Sequence, residues 1–155
     1  MIRQINVKDI RQVAGIWLKI SIDDYSFVCE HSGISPREFW SDKLPEMIQT
    51  TLEADGYVYQ IQDQIQGFIT MRPETSCGYY VYELFIDSPW QGKGIGETLI
   101  NHAKSLGTYI RTSAYEKAAR AIGFYEKHGF VKESETPRIE STTKQRKFDF
   151  LWKKG

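Results

Sequence analysis

The stretch "WQGKGIG" at residues 90–96 holds three glycines, a Lys and a Gln. An almost unbroken apolar run, "YYVYELFI" (79–86), precedes it, and "ETLINHAKSL" (97–106) follows with helical spacing. Glycine has no Cβ, so a ligand can approach the backbone closely, and it permits a positive φ where a loop must wrap. A helix N-terminus presents unpaired N–H groups and the positive end of the helix dipole. Strand, glycine loop and helix together make a cradle for a phosphate group. A flexible turn is the plainer alternative. A P-loop would need a Gly-Lys-Ser/Thr ending that is absent. A dinucleotide fingerprint would need a small residue at Glu97, where a carboxylate would crowd a pyrophosphate. Glu116 stands about where such a fold carries its ribose contact, and equally reads as an acid in the first turn of a helix.

Working outward, "IRQI" (2–5) reads as a strand and 8–21 as an amphipathic helix, with Ile10, Val13, Ala14, Trp17 and Leu18 on one face. Residues 22–35 read as an irregular loop rich in binding groups. The next segment, 35–55, opens with Ser35 as N-cap, Pro36 at the first helical position and Glu38 beyond, and Pro45 splits it in two. Residues 57–62 and 65–72 read as a hairpin turning at Asp63 and Gln64, and 79–86 as a strand too apolar for a solvated position, hence mid-sheet. A helix over 95–106 faces inward with Ile95, Leu99, Ala103 and Leu106. A strand (108–113), a helix (116–129, ending at Gly129) and strands at 130–133 and 147–152 follow, the last two joined by a polar surface loop. The order is β-α-α-β-β-β-α-β-α-β-β. It predicts an α/β (α+β) fold, one mixed, mainly antiparallel sheet of about seven strands with helices on both faces. With no linker or repeat, residues 1–155 are expected to form a single domain.

The composition is that of a soluble globular protein, 41% apolar and 26% charged, with formal net charge +0. That charge gives no attraction to nucleic acid or an anionic membrane. Cys29 and Cys77 form no metal-ligand or redox motif and read as reduced cysteines of a cytoplasmic protein, and no metal is expected. The first residues lack a signal-peptide core, and no apolar stretch is long enough to span a bilayer.

"QGKGIG" (91–96) matches the Q/R-x-x-G-x-G/A signature of the GNAT superfamily of acetyl-CoA-dependent N-acetyltransferases, with Gln91, Gly94 and Gly96 in its fixed positions. "AIGFYEKHGF" (121–130) resembles the second hallmark of that family, a helix that carries a Tyr and ends at Gly-Phe. Both occur in the family's order, and the element order agrees across nearly the whole chain. The resemblance implies acetyl-CoA as co-substrate. The backbone of Leu84 and Ile86 would bond the pantetheine arm. Gln91, Gly92, Lys93, Gly94, Ile95 and Gly96, with Glu97 and Thr98, would hold the pyrophosphate. The strands at 79–86 and 108–113 would splay to admit the cofactor. Many relatives carry Asn where this chain has Ala118, so the contact is weaker or is supplied otherwise, by Arg120 for instance.

Acetyl transfer needs a neutral amine, whereas a free lysine-type amine has a pKa of roughly 10. The departing thiolate needs a proton. Tyr125 fits the acid through its match to the motif, and also reads as a core aromatic. Glu83 is the only charge in the run 79–86, and a charge in a mid-sheet strand needs a reason: it is either a base or cation-binding group, or a carboxylate facing a groove. Asp23, Asp24, Tyr25, Phe27, Glu30 and His31 would lie by resemblance over the acceptor cleft. The expected reaction is transfer of acetyl to a primary amine of a small molecule or peptide, with no nucleic-acid or membrane partner and a homodimer left open. A regulatory domain that binds acyl-CoA without turnover, and a nucleotide-binding oxidoreductase, are the alternatives.

Overall fold

The computed structural model describes residues Met1–Gly155. Its centre is an eight-stranded sheet with the order β1-β2-β3-β4-β5-β8-β6, and β7 paired to β8. The strands are β1 (Ile2–Gln4), β2 (Asp55–Ile61), β3 (Gln64–Thr75), β4 (Gly78–Ile86), β5 (Tyr109–Tyr115), β6 (Val131–Lys132), β7 (Arg138–Ile139) and β8 (Arg146–Lys153). Only the β4–β5 pair is parallel; the rest are antiparallel. The eighth strand is the two-residue β7, inside the stretch read from sequence as a polar loop. Its residues are exposed, so no core signal marks them.

The helices are α1 (Ile10–Asp24), α2 (Pro36–Asp42), α3 (Leu44–Glu53), α4 (Ile95–Leu106) and α5 (Ala119–Lys127). One core joins Leu99, Ile100 and Ala103 of α4 and Tyr125 of α5 to Ile69, Met71, Val81 and Ile110 of the sheet. The other joins Val13, Trp17 and Ile20 of α1, Trp40 and Met47 to Val58 and Phe68 on the opposite face. None of the helices is long and apolar enough to cross a membrane.

Local chemistry explains the boundaries. Ser35 caps α2 by accepting from the Glu38 amide at 3.2 Å, with Pro36 in the first turn. The break falls at Lys43, one residue before α3, whose first turn contains Pro45. The hairpin turns on Gln62 and Asp63, since Ile61 pairs with Gln64; Gln62 takes a φ of 54°. Helix α1 runs on to Asp24, so Asp23 and Asp24 close a helix and do not lie in an irregular loop. Leu106 is 38% exposed and Ile100 takes the inward place expected for it. Helix α5 starts at Ala119, because a turn intervenes in which the Ala118 amide donates to the Tyr115 carbonyl at 2.9 Å. Gly129 ends it with a φ of 87°.

Strands β4 and β5 pair only at Gly78–Tyr80 against Tyr109–Arg111. Beyond Tyr80 they separate. A bulge lies at this point, where Thr70 pairs with Glu83 but Met71 pairs with Val81, so Tyr82 is the extra residue. An extra residue bends its strand and ends regular pairing. The second half of β4 thus has a free edge facing the opening.

Candidate active site

Two cavities meet at this opening. The larger, about 520 Å³, is lined by residues of α1, β4, the glycine loop and α5, among them Asp23, Asp24, Leu84, Gln91, Gly96 and Arg120. The smaller, about 220 Å³, lies against Trp17, Trp40, Tyr82, Glu83, Ser113 and Tyr115. Both share Tyr25, Leu84, Phe85, Ala121 and Tyr125 as walls.

The Asp87 amide donates to the Gln66 carbonyl on β3 at 2.8 Å. Backbone direction alternates along a strand. The N–H and C=O groups of Leu84 and Ile86 therefore face the free edge. The Ile86 carbonyl already accepts from Gln91 Nε2 at 2.9 Å, which ties the loop to the strand end. In turn Gln91 Oε1 accepts from Arg120 at 2.7 Å, so a guanidinium of α5 is drawn to the loop. Gly92 and Gly94 take φ values of 76° and 83°, the left-handed region. Gly94 is the N-cap of α4, and Thr98 turns back to it, donating from both amide and hydroxyl at 3.1 and 3.0 Å. The amides of Ile95, Gly96 and Glu97 have no intrahelical acceptor by helix geometry. A Cβ on Gly96 would come within 3.1 Å of the Phe124 ring, which lines the cavity. Lys93, Glu97 and Thr98 are exposed on the outside of the loop and helix.

Glu83 is half-buried and its Oε2 is shut off from solvent with no hydrogen-bond partner. Burial pushes its carboxyl up to about 8, against a hydrogen bond from Trp17 that lowers it. Tyr125 is buried, packed on Phe124, Phe130 and Phe150 at ring distances of 5.5, 5.3 and 6.0 Å. Burial drives its phenol well above the ordinary range, so it stays protonated across physiological pH. Its two readings, packing and proton donor, are compatible in this geometry.

The predicted acceptor residues divide. Asp23, Asp24 and Tyr25 line the larger cavity. Tyr25 stacks on Phe85 at 6.0 Å and closes the smaller cavity too. Phe27 borders neither; it packs edge-on against Tyr115 at 5.7 Å. The Glu30 carboxylate is occupied by Lys117 at 2.7 Å and by Gln145 Nε2 at 2.8 Å, which hold it below the usual carboxylate range. His31 is near Glu30 at 3.4 Å, away from the cavities. Sequence reasoning missed Phe85, Phe124, Lys117, Trp17, Trp40 and Tyr115 as cavity walls. Periodicity marks Trp17 and Phe85 as core; it carries no sign of which core residues border a void.

Residues 53–132 match the model of the family described as acetyltransferase (GNAT) domain, just over half of the chain. The chain belongs to the GNAT acetyltransferases. The GNAT assignment displaces the oxidoreductase alternative and fixes the activity class as acetyl transfer, with acetyl-CoA as co-substrate. The peptidyl-lysine N-acetyltransferase YjaB of Salmonella typhimurium is 30% identical over 129 residues, covering 83% of this chain and 81% of that protein. The solution structure of apo YjaB from Escherichia coli superposes with a TM-score of 0.74 at 24% identity, covering 100% of this chain and 98% of that one. The PaiA N-acetyltransferase of Thermoplasma acidophilum, solved in complex with coenzyme A, gives 0.73 at 15% identity, with 99% and 98% covered. These structural likenesses show the GNAT fold.

Proposed function

We propose that this protein transfers acetyl from acetyl-CoA to the ε-amine of a lysine in a peptide or protein, by direct attack in a ternary complex. The observation that carries the reading is the shared wall of the two cavities, with the only buried unpaired carboxylate oxygen in the smaller one. The larger cavity, with the free edge of β4 and the glycine loop, suits the pantetheine arm and pyrophosphate. Orphan amides at a helix N-terminus, the Arg120 guanidinium and the absence of Cβ at Gly92 and Gly94 all fit an anion there. The smaller cavity suits a slender alkyl arm ending in an amine. The similarity to YjaB, named a peptidyl-lysine N-acetyltransferase, supports lysine as the acceptor.

Glu83 accepts a proton from the entering ammonium, directly or through a water, and the neutral nitrogen attacks the thioester carbonyl. The C–S bond breaks as the intermediate collapses, the Tyr125 hydroxyl protonates the thiolate, and the proton that the acetylated nitrogen sheds returns to the phenolate. A carboxyl near 8 is a better match to an amine than an ordinary carboxylate. Asp23 and Asp24, exposed beside the larger cavity, attract the cationic acceptor. Incubation with acetyl-CoA and an N-terminally blocked lysine peptide, read by tandem mass spectrometry, tests the reading. Acetyl on the ε-nitrogen supports it; thiol release without an acetyl-lysine product overturns it.

A further inference from the structure

Residues paired across two strands share a face of the sheet. Thr70 pairs with Glu83, and Arg72, two residues along β3, pairs with Tyr80. Arg72 therefore lies on the Glu83 face, about 7 Å along the strand from the residue opposite Glu83. The same face continues through Arg111 and Leu151 in one row and Ser113 and Asp149 in the next. The Tyr80 and Ser113 hydroxyls join the rows at 2.9 Å.

The cations around this face are neutralised except Arg72 and, two residues further from Glu83 in the row of Gly78 and Tyr109, Lys153. Arg111 meets Glu133 at 2.8 Å and Glu74 at 3.6 Å. Arg138 meets Asp149 at 2.9 Å, and Lys147 meets Glu140 at 3.2 Å. Arg72 is exposed and has no carboxylate partner. Its guanidinium lies over the rings of Tyr80 and Tyr82, 5.1 and 5.7 Å from their centroids. Tyr82 is itself a wall of the Glu83 cavity and is 40% exposed. Two aromatic rings thus hold a bare positive charge at the rim of the cavity, which restricts its rotamers without neutralising it.

The geometry points to Arg72 as a specificity-determining residue that binds a carboxylate of the acceptor peptide within about two residues of the lysine that enters the cavity. The inference rests on the lysine reading above. The carboxylate is supplied by an acidic side chain or by the C-terminus of the peptide. A guanidinium fixed on two rings presents its outer N–H edge for a paired hydrogen bond to carboxylate.

The test uses N-terminally blocked, C-terminally amidated peptides identical except for Asp, Ala or Arg at the positions flanking the lysine. A further pair places the lysine next to a free C-terminal carboxylate or to its amide. For the wild-type protein, kcat/KM is expected to be about fivefold higher for Asp flanks, or for the free carboxylate, than for Ala or the amide, the upper scale of a solvent-accessible ion pair. Arg72→Gln should level the series and Arg72→Glu should invert it in favour of Arg flanks. The change should fall in the peptide KM, with the KM for acetyl-CoA held. A gain confined to the free-carboxylate peptide assigns the site to chain ends. Wild-type turnover without any preference for carboxylate, or a preference that survives in both variants, overturns the assignment of Arg72 alone. Failure of the wild type to acetylate any of the peptides overturns both this assignment and the lysine reading.

Discussion

Arg120 and Gln91 are joined across 29 residues of chain, guanidinium to amide oxygen at 2.7 Å. The other end of the Gln91 amide donates to the Ile86 carbonyl at 2.9 Å. One side chain thus connects the end of β4, the glycine loop and the first turn of α5. In the proposed complex the Arg120 guanidinium takes over part of the pyrophosphate contact that Ala118 cannot make.

Arg120→Ala is expected to raise the Kd for acetyl-CoA by roughly tenfold, the scale of a hydrogen bond to a charged group. Gln91→Ala should also weaken binding. Because the two side chains bond each other, the double variant should lose less than the combined effect of the single ones. Calorimetry on the four proteins measures this; strictly additive losses contradict the coupling.

Gly94→Asp tests the cradle. The position has a positive φ, which Asp tolerates better than most residues, and a Cβ there meets no atom within 4 Å. It is the N-cap of α4, so a carboxylate added there lies at the positive end of the helix dipole. The variant should stay folded and lose measurable acetyl-CoA affinity, since its carboxylate occupies an anion site. A folded variant with wild-type affinity would remove this loop from the cofactor site.

Tyr125→Phe keeps a ring packed between Phe124, Phe130 and Phe150 and removes only the hydroxyl. If that hydroxyl protonates the leaving thiolate, kcat falls by about 10²-fold while acetyl-CoA affinity holds. The phenol titrates above the accessible range, so the variant should leave the alkaline side of the pH–rate profile unchanged. Unchanged kcat in stopped-time assays assigns Tyr125 to packing alone.

Glu83 gives the pH dependence. With its carboxyl near 8 in the folded protein, kcat/KM should rise as pH increases through about 8, and Glu83→Gln should abolish that rise and most of the activity. Stability runs the other way. The ordinary value is 4.5 and the folded value is raised, so the folded state holds the proton more tightly. That contribution is full below 4.5 and is lost as pH rises through about 8. Glu83→Gln should flatten the fall of Tm over this window; a Tm that falls as steeply in the variant assigns the loss to other groups.

Where one strong local signal set an element, the sequence showed it. Helix α4 follows the glycine loop with an apolar stripe, and its bounds are those expected. The mid-sheet place of β4 was legible in its apolar run, as was the oddity of Glu83. What lay beyond reach depends on distant partners. Gln145 reaches Glu30 across 115 residues, so the turn before β8 occupies a carboxylate that the sequence offered to substrate. Strand β7 has exposed residues and forms only because β8 presents an edge. The helical ending of α1 at Asp23 and Asp24 follows from a continuing hydrogen-bond ladder, with the Tyr25 amide donating to the Ser21 carbonyl at 3.0 Å, against side chains that favour loops. The cavity around Glu83 needs the bulge at Tyr82 and the two tryptophans of α1 and α2 together.

In the proposed complex acetyl passes between the two cavities at the wall formed by Leu84, Phe85 and Tyr125. A crystal structure with a conjugate that links coenzyme A through an acetyl bridge to the ε-nitrogen of a lysine peptide tests it most directly. Pantetheine is expected along Leu84 and Ile86, pyrophosphate on the amides of 92–97, and the lysine nitrogen in the smaller cavity within hydrogen-bond reach of Glu83. A conjugate with its cofactor half in the groove and its lysine arm leaving by any route other than the smaller cavity would contradict it.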